Sequence, residues 1–187
     1  MESEHNRIQA LRDSAVMLYS PEDIHNALDR MASEIEAAVA GTVPVVLVVL
    51  TGGIIPAGHI LTRLAFPLEI DYLHATRYRG NTTGNAQVEW KCESRIPLEG
   101  RTVLVIDDIL DEGNTLQTVT DYCRRSGASR VCTAVLIEKH HDRRMPGVGA
   151  DVVGRGVEDR YVVGFGMDYR GYLRNLNGIY ALDPGRE

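Results

Sequence analysis

Val103-Leu-Val-Ile-Asp-Asp-Ile-Leu-Asp-Glu-Gly-Asn-Thr-Leu116 is the stretch of sequence that decides the fold. Its apolar, β-branched run ends at two adjacent carboxylates, Asp107 and Asp108. Such a run is typical of a buried parallel strand whose carboxyl end faces a ligand crevice. The polar turn from Asp111 to Thr115 then opens onto helix-forming sequence. It supplies backbone N–H groups and a helix N-terminus, the usual seat of a phosphate.

The three acids Asp107, Asp108 and Asp111 would repel a phosphate unless the ligand offers something more. Sugar hydroxyls can donate hydrogen bonds to them, and a divalent cation can bridge acid and phosphate. A phosphorylated sugar with magnesium satisfies both conditions. The alternative is an ordinary strand end with exposed acids and a helix cap. That alternative explains Gly113 and Thr115 but leaves three uncompensated acids at one strand end.

Length and composition favour one domain, residues 1–187, with a real hydrophobic core. The chain is 44% hydrophobic, with a net charge of -6 and a pI of about 5.5. This balance argues against nucleic acid or an anionic membrane as the main partner. The polar N-terminus does not look like a signal peptide, and the run Val43 to Leu50 is too short to span a membrane. The few cysteines, Cys92, Cys123 and Cys132, suit a reducing cytoplasm, the last two as core residues.

Strand and helix patterns alternate along the chain. Ser20-Pro-Glu-Asp23 is a capped helix start, followed by apolar residues at helical spacing up to Gly41. The remaining predicted elements are strands at 45–50, 68–73, 102–106 and 130–137, helices from Pro56 and over 115–125, and short apolar pieces at 152–153 and 161–164. The alternation predicts an α/β fold, a doubly wound and mostly parallel sheet with helices on both faces.

Two loops stand out between these elements. Leu50-Thr51-Gly52-Gly53 follows a strand directly, and its glycines allow the backbone to approach an anion closely. An ordinary tight turn explains the same residues equally well. The polar segment Arg77 to Glu89 contains nothing that could bury a core, so it is a mobile loop or a loose hairpin.

Polar residues also follow the predicted strand 130–137. Lys139 lies on the same sheet edge as Asp107 and Asp108, where it could donate to a carbonyl, although a solvated lysine at a strand exit is common. His140 and His141 are interpreted as surface residues, because adjacent residues of an extended chain point apart and no acid or cysteine spacing completes a metal site.

The 103–116 stretch resembles the phosphoribosyl-pyrophosphate (PRPP) signature of type I phosphoribosyltransferases. The C-terminal stretch from Asp159 to Asn177 looks like the purine-binding end of the hypoxanthine-guanine members of that family. The resemblance runs from the Ser20 helix to about Ala181, in the family's order. It implies the type I phosphoribosyltransferase fold, with a small hood formed by terminal segments.

The resemblance also implies roles for individual residues. Asp111 is the implied catalytic base. In members of the family, the peptide bond that corresponds to Leu50–Thr51 is often cis. Magnesium would be held by Asp107, Asp108 and Asp168. The residues implied to bind PRPP or its phosphates are Leu50, Thr51, Gly52, Asp107, Asp108, Asp111, Glu112, Gly113, Asn114, Thr115 and Arg174. Those implied to bind the purine are Lys139, Tyr161, Val162 and Asp168.

The segment 77–89 occupies the position of the family's mobile lid, with Arg77 and Tyr78 as lid residues. Arg77 departs from the usual serine there, and Thr51 departs from the lysine common in the 6-oxopurine enzymes. The sequence does not determine how either departure changes the affinity for PRPP or pyrophosphate.

The implied function is purine salvage, the transfer of a phosphoribosyl group from PRPP to hypoxanthine or guanine. Lys139 favours a 6-oxopurine, because adenine carries a donor at that position. Preference among hypoxanthine, guanine and xanthine stays open, as does a homodimer against a homotetramer. The alternatives are a PRPP or nucleotide sensor without turnover, and a transferase for adenine or orotate.

Overall fold

The computed structural model describes residues 3–77 and 88–182. The elements follow one another as α1 (Glu4–Ser14), β1 (Val16–Tyr19), α2 (Pro21–Ala38), β2 (Val45–Leu50), α3 (Ile54–Leu61), β3 (Glu69–Arg77), β4 (Val88–Cys92), β5 (Thr102–Leu110), α4 (Asn114–Arg125), β6 (Arg130–His140), β7 (Val152–Glu158), β8 (Tyr161–Val163) and β9 (Ile179–Leu182).

Six strands form the central sheet in the order β4-β3-β2-β5-β6-β7. Every neighbouring pair is parallel except β3 and β4, which pair antiparallel. Helices α2 and α3 pack on one face and α4 on the other, and each face has its own apolar cluster. Alternation along β5 shows this division, since Leu104 and Ile106 face α2 and α3 while Val103 and Val105 face α4. The predicted fold class is confirmed.

A second sheet of three strands, in the order β1-β9-β8, is built from the two ends of the chain. Val16 of β1 pairs with Ala181 of β9, which in turn pairs with Val162 of β8. This is the hood that the resemblance implies. Its N-terminal strand is the short apolar run Val16-Met-Leu-Tyr19, and α1 packs partly buried Ile8 and Leu11 against the same cluster. Neither element is predicted from the sequence.

Several strands run further than the sequence indicates. β5 continues to Leu110 because its pairing with β6 persists through Ile109↔Ile137 and Leu110↔Glu138. Asp107 therefore lies inside a strand rather than beyond its end. β6 likewise continues to His140 through its pairing with β7, and this places Lys139 in the strand as well.

The predicted 68–73 strand continues to Arg77, and β4 pairs with it antiparallel, with Arg77 opposite Val88. The two described ends of the polar segment thus pair with each other. Tyr78 and the rest of the predicted lid up to residue 87 lie outside the described residues.

The predicted helices begin close to their predicted starts, whereas α1 is not predicted from the sequence. Ser20 caps α2 with a reciprocal capping box, accepting from the Asp23 N–H while the Asp23 carboxylate accepts from the Ser20 N–H. α3 begins at Ile54 rather than Pro56, because a proline fits within a first helical turn, where its missing N–H is not needed. Across the described part of the chain, every helix is too short or too polar to cross a lipid bilayer.

Candidate active site

The second half of β5 carries two acids into a cavity of about 450 Å³. Asp107 and Asp108 are buried, with 6% and 8% of their surfaces exposed. The backbone N–H of Asp108 donates to the Asp107 Oδ1 at 2.9 Å. Burial and the adjacent Asp108 carboxylate raise the pKa of Asp107 well above its ordinary value, and burial also raises the pKa of Asp108. Paired buried acids favour a cation or hydroxyl donors in this cavity.

The loop after β2 lies directly against Asp108. A Cβ on Gly52 would be 2.0 Å from the Asp108 Oδ2, so only glycine lets the loop come this close. Leu50, Thr51 and Gly52 all line the cavity, and the Leu50–Thr51 peptide bond is cis, as the resemblance implies. A ligand in the cavity would therefore meet loop backbone on one side and carboxylates on the other.

The predicted phosphate loop forms another wall of the cavity. Gly113 has a φ of 95°, a left-handed conformation that glycine adopts without strain, and α4 begins immediately after it. Asp111, Gly113 and Thr115 line the cavity. The first N–H groups of a helix have no acceptor within the helix, so they are available to an anion.

The side chains of Glu112 and Asn114 are placed differently from those of their neighbours. The Asn114 amide donates to the Glu112 Oε2 at 3.1 Å, and neither residue lines the cavity. Any contact they make with a bound phosphate would therefore come from their backbone.

The C-terminal stretch returns to the same cavity. Asp168 and Arg174 both line it, beside Asp107 and Asp108. Arg174 forms a 2.6 Å ion pair with Asp168, and its other terminal nitrogen lies 3.9 Å from the Asp108 Oδ2. The structure thus brings Asp108 and Asp168, some sixty positions apart in the chain, to opposite sides of one arginine.

A second cavity, of about 180 Å³, adjoins the first. Its lining includes the four predicted purine residues, Lys139, Tyr161, Val162 and Asp168. The Tyr161 hydroxyl donates to the backbone carbonyl of Asp168 at 3.0 Å, and this tethers the aromatic ring beside the opening. The cavity has an aromatic wall, an apolar floor and a lysine, which suits a flat heterocycle bearing a carbonyl.

Asp111 lies on the wall between the two cavities and lines both. The Lys139 ammonium donates to its Oδ2 at 3.1 Å, and the Nε2 of His141 lies 2.7 Å from its Oδ1. A carboxylate at this boundary could accept a proton from a ligand in the second cavity while facing the reacting group in the first.

His141 is the residue that the sequence interpretation misplaced. Its side chain is only 3% exposed, whereas that of His140 is 65% exposed. The surface interpretation is wrong for His141, because this residue follows the end of β6 and its ring packs against Asp111. His141 and Lys139, two positions apart, therefore both reach Asp111. The spacing from Lys139 is the one local signal that could have indicated the residue.

A metal ion would need more than side chains here. Among residues 3–77 and 88–182, no three His, Cys, Asp or Glu side chains are grouped closely enough to hold an ion. Magnesium commonly binds through one or two carboxylates while substrate phosphates and water complete its coordination. The buried carboxylate oxygens of Asp107 and Asp108 fit that pattern.

Comparison with known proteins agrees with this arrangement. Residues 17–170 match the family model of the phosphoribosyl transferase domain. The chain is 32% identical to the hypoxanthine-guanine phosphoribosyltransferase of Streptococcus agalactiae, over 91% of this chain and 94% of the relative. It is 34% identical to the hypoxanthine-guanine-xanthine phosphoribosyltransferase of Tritrichomonas foetus, over 89% and 90%.

A solved structure of a hypoxanthine phosphoribosyltransferase from Staphylococcus aureus superposes with a TM-score of 0.86 at 28% identity, covering 94% of this chain and 96% of that one. The family model covers the chain from β1 to beyond β8, including the cavity-lining strands, and the two curated relatives cover 91% and 89% of the chain. The chain therefore belongs to the phosphoribosyltransferase family.

Proposed function

We propose that this protein transfers the 5-phosphoribosyl group of PRPP to hypoxanthine or guanine, giving IMP or GMP and pyrophosphate. The observation that carries the proposal is the position of Asp111 on the wall shared by the two cavities. One cavity offers a helix N-terminus and buried acids to a sugar phosphate. The other offers an aromatic ring and a lysine to a 6-oxopurine. Residues 1–187 would act as one domain, since β1 and β9 join the two ends of the chain.

The larger cavity would hold PRPP. Asp107 and Asp108 would accept hydrogen bonds from the ribose hydroxyls, and the backbone of 111–115 with the Thr115 hydroxyl would bind the 5′-phosphate. The loop Leu50 to Gly52 would bind the pyrophosphate through its backbone, with Arg174 as the nearby cation. Arg174 is at present paired with Asp168, so PRPP binding would redistribute its contacts.

The smaller cavity would hold the base. Tyr161 would stack on the purine and the backbone of Val162 would read the ring edge. Lys139 would donate to the 6-oxo group, and this requires it to leave the Asp111 carboxylate. A 6-amino group would place two donors against each other, so adenine is disfavoured.

The reaction joins these two ligands at C1′ of the ribose. The C1′–oxygen bond to pyrophosphate breaks, and its electron pair leaves with the pyrophosphate. The lone pair of purine N9 forms the new bond to C1′, and the N7 proton passes to Asp111. Positioning of both reactants and exclusion of water protect the cation-like ribose centre.

We propose magnesium as the cofactor. Asp107, Asp108 and Asp168 would bind it directly through one or two carboxylates and otherwise through bound water, and ligand oxygens would complete its coordination. When bound, the ion supplies positive charge to the pyrophosphate and the ribose diol. The raised pKa values of Asp107 and Asp108 are consistent with a site built for a cation, because a bound cation favours the ionised carboxylates.

The segment 77–89 is proposed as the lid of this site, with Arg77 and Tyr78 over the pyrophosphate. The described ends of that segment support the position. β3 and β4 pair at its base, and His74 and Ala75 of β3 line the larger cavity.

A sensor that binds PRPP without turnover is disfavoured, because Asp111 and Lys139 are both present in the cavities and the related proteins bear the names of transferases. An adenine or orotate transferase is disfavoured by Lys139. We also propose a cytoplasmic enzyme that associates as a homodimer or homotetramer. The exposed Ile70 and Tyr72 project from one face of β3 and provide apolar surface for a second copy.

An activity screen with PRPP, magnesium and five bases tests the proposal. Hypoxanthine, guanine or both should yield a nucleoside monophosphate with stoichiometric pyrophosphate, and adenine and orotate should not. PRPP binding without turnover of any base would support the sensor instead, and turnover of adenine or orotate alone would exclude a 6-oxopurine enzyme. Light scattering on the same preparation separates monomer, dimer and tetramer.

A further inference from the structure

His141 is a buried histidine bonded to the proposed proton acceptor. It follows the last residue of β6, and its side chain is almost completely covered. Its Nε2 lies 2.7 Å from the Oδ1 of Asp111. Lys139, two positions earlier, reaches the other oxygen of that carboxylate. The two basic side chains thus hold the two carboxylate oxygens separately.

The backbone fixes which nitrogen of His141 carries the proton. The N–H of Arg143 donates to the His141 Nδ1 at 3.1 Å, so Nδ1 is an acceptor and has no hydrogen. A neutral ring must then carry its proton on Nε2, where it donates to Asp111. The hydrogen bond therefore stabilises the ionised form of the carboxylate.

The charged groups around the ring support this arrangement. Asp111 comes from the turn after β5, Lys139 from β6, and Asp159 from the segment after β7. The Arg143 guanidinium is held by Asp159 through hydrogen bonds of 2.7 and 2.9 Å. That pair anchors the residue whose backbone N–H contacts His141.

We propose that His141 is a positioning residue that orients Asp111 and keeps it ionised for proton transfer. The inference rests on the proposed function. When a 6-oxopurine binds, Lys139 moves from the Asp111 Oδ2 to the 6-oxo group. His141 retains Oδ1, and Oδ2 then faces N7 of the purine. The proton leaves N7 and is taken up at Oδ2, while His141 neither gains nor loses one.

Two substitutions separate the hydrogen bond from the space that the ring fills. His141→Leu removes the donor, and His141→Gln restores an N–H near the position of Nε2. We expect His141→Leu to lower kcat about tenfold or more, the size expected for a lost hydrogen bond to a charged group. The KM for PRPP should change little. His141→Gln should recover much of the lost rate.

The pH profile gives a readout that a purely structural role would not move. Without the donor, Asp111 takes up a proton more readily, so the acidic limb of kcat/KM for the base should move to higher pH in His141→Leu. His140→Leu is the matched control, because His140 is exposed, and its profile should follow the wild type. A wild-type rate and profile in His141→Leu would overturn the inference, and so would a glutamine variant as impaired as the leucine variant.

The tautomer can be read without any activity. A long-range ¹H–¹⁵N spectrum of the wild-type protein at mildly alkaline pH should show the His141 ring neutral, with its proton on Nε2. A proton on Nδ1, or a doubly protonated ring, would overturn the inference even if the leucine variant failed to fold. Failure of the proposed function looks different, since the wild type and His140→Leu would then transfer no phosphoribosyl group.

Discussion

The Lys139 ammonium lies 3.1 Å from the Oδ2 of Asp111, so the proposed purine-reading group and the proposed proton acceptor are paired in the ligand-free protein. Both side chains are largely covered, which makes this ion pair less screened than a surface pair. When a 6-oxopurine binds, Lys139 would donate to its carbonyl instead of to Asp111, and Asp111 would accept from its N7–H instead of from Lys139. In the absence of a base, the two side chains therefore satisfy each other's hydrogen-bonding groups.

Removing the ammonium should weaken binding of the base. We expect Lys139→Met to raise the KM for hypoxanthine or guanine about tenfold, because the donor to the 6-oxo group is lost. The KM for PRPP should change much less. The chain has only one other lysine, Lys91, which is exposed on β4, so Lys91→Met is the matched control. Equal base affinity in both variants, measured by steady-state kinetics, would remove Lys139 from its proposed role.

Gly52 provides a steric test of the cavity. The Cβ of Gly52→Ala would meet the Asp108 carboxylate at 2.0 Å, so either the loop or the acid must move. We expect lower kcat/KM for PRPP and a lower Tm. Gly58→Ala is the control, since nothing lies within 4 Å of its Cβ in α3. That variant should be neutral or more stable by about 0.4–1 kcal/mol, because alanine suits a helix better than glycine. Similar behaviour of the two variants would contradict the close packing of Gly52.

The buried acid pair predicts a pH dependence of stability. The pKa of Asp107 is raised in the folded protein by burial and by Asp108, so the folded state binds more protons than the unfolded chain. Its contribution is fully present below the unfolded pKa of about 4 and is lost as pH rises through the folded pKa. Without added metal, Asp107→Asn should therefore unfold at a higher temperature than the wild type near neutral pH.

That difference in Tm should shrink as the pH approaches 4, and the variant should lose phosphoribosyl transfer. Asparagine keeps the oxygen that accepts from the Asp108 N–H, so the substitution changes charge more than shape. Thermal melts across pH, with a chelator present, measure the effect. A variant that is less stable than the wild type at neutral pH would show that the buried charge is already compensated.

The sequence predicts the sheet and its helices well because their signals are local. The run at β5, the capping box at Ser20 and the glycine turn at Gly113 each depend on neighbours a few positions away. The missed elements depend on distant partners. β1 and β9 are apolar runs of only four residues each, and they form because they pair with each other across the chain. β4 exists because it adds to the edge of β3.

The same distinction applies to the site. Motifs indicate Asp107, Asp108, Asp168 and Arg174 separately, but no spacing rule predicts the contacts of Arg174 with Asp108 and Asp168. His141 was misplaced because no motif includes it, and its role depends on a contact with Asp111, thirty positions away. The extension of β6 beyond Ile137 put it within reach, and that extension follows from pairing with β7.

The most direct test of the proposed mechanism is the turnover number of Asp111→Asn with hypoxanthine or guanine. Asparagine keeps the shape of the side chain but cannot take the N7 proton. We expect kcat to fall at least about tenfold, the range for loss of a general base, with PRPP binding little changed. Asp142→Asn, at an exposed acid on the loop after β6, should keep wild-type turnover. A wild-type kcat in Asp111→Asn would contradict proton acceptance by the carboxylate between the two cavities.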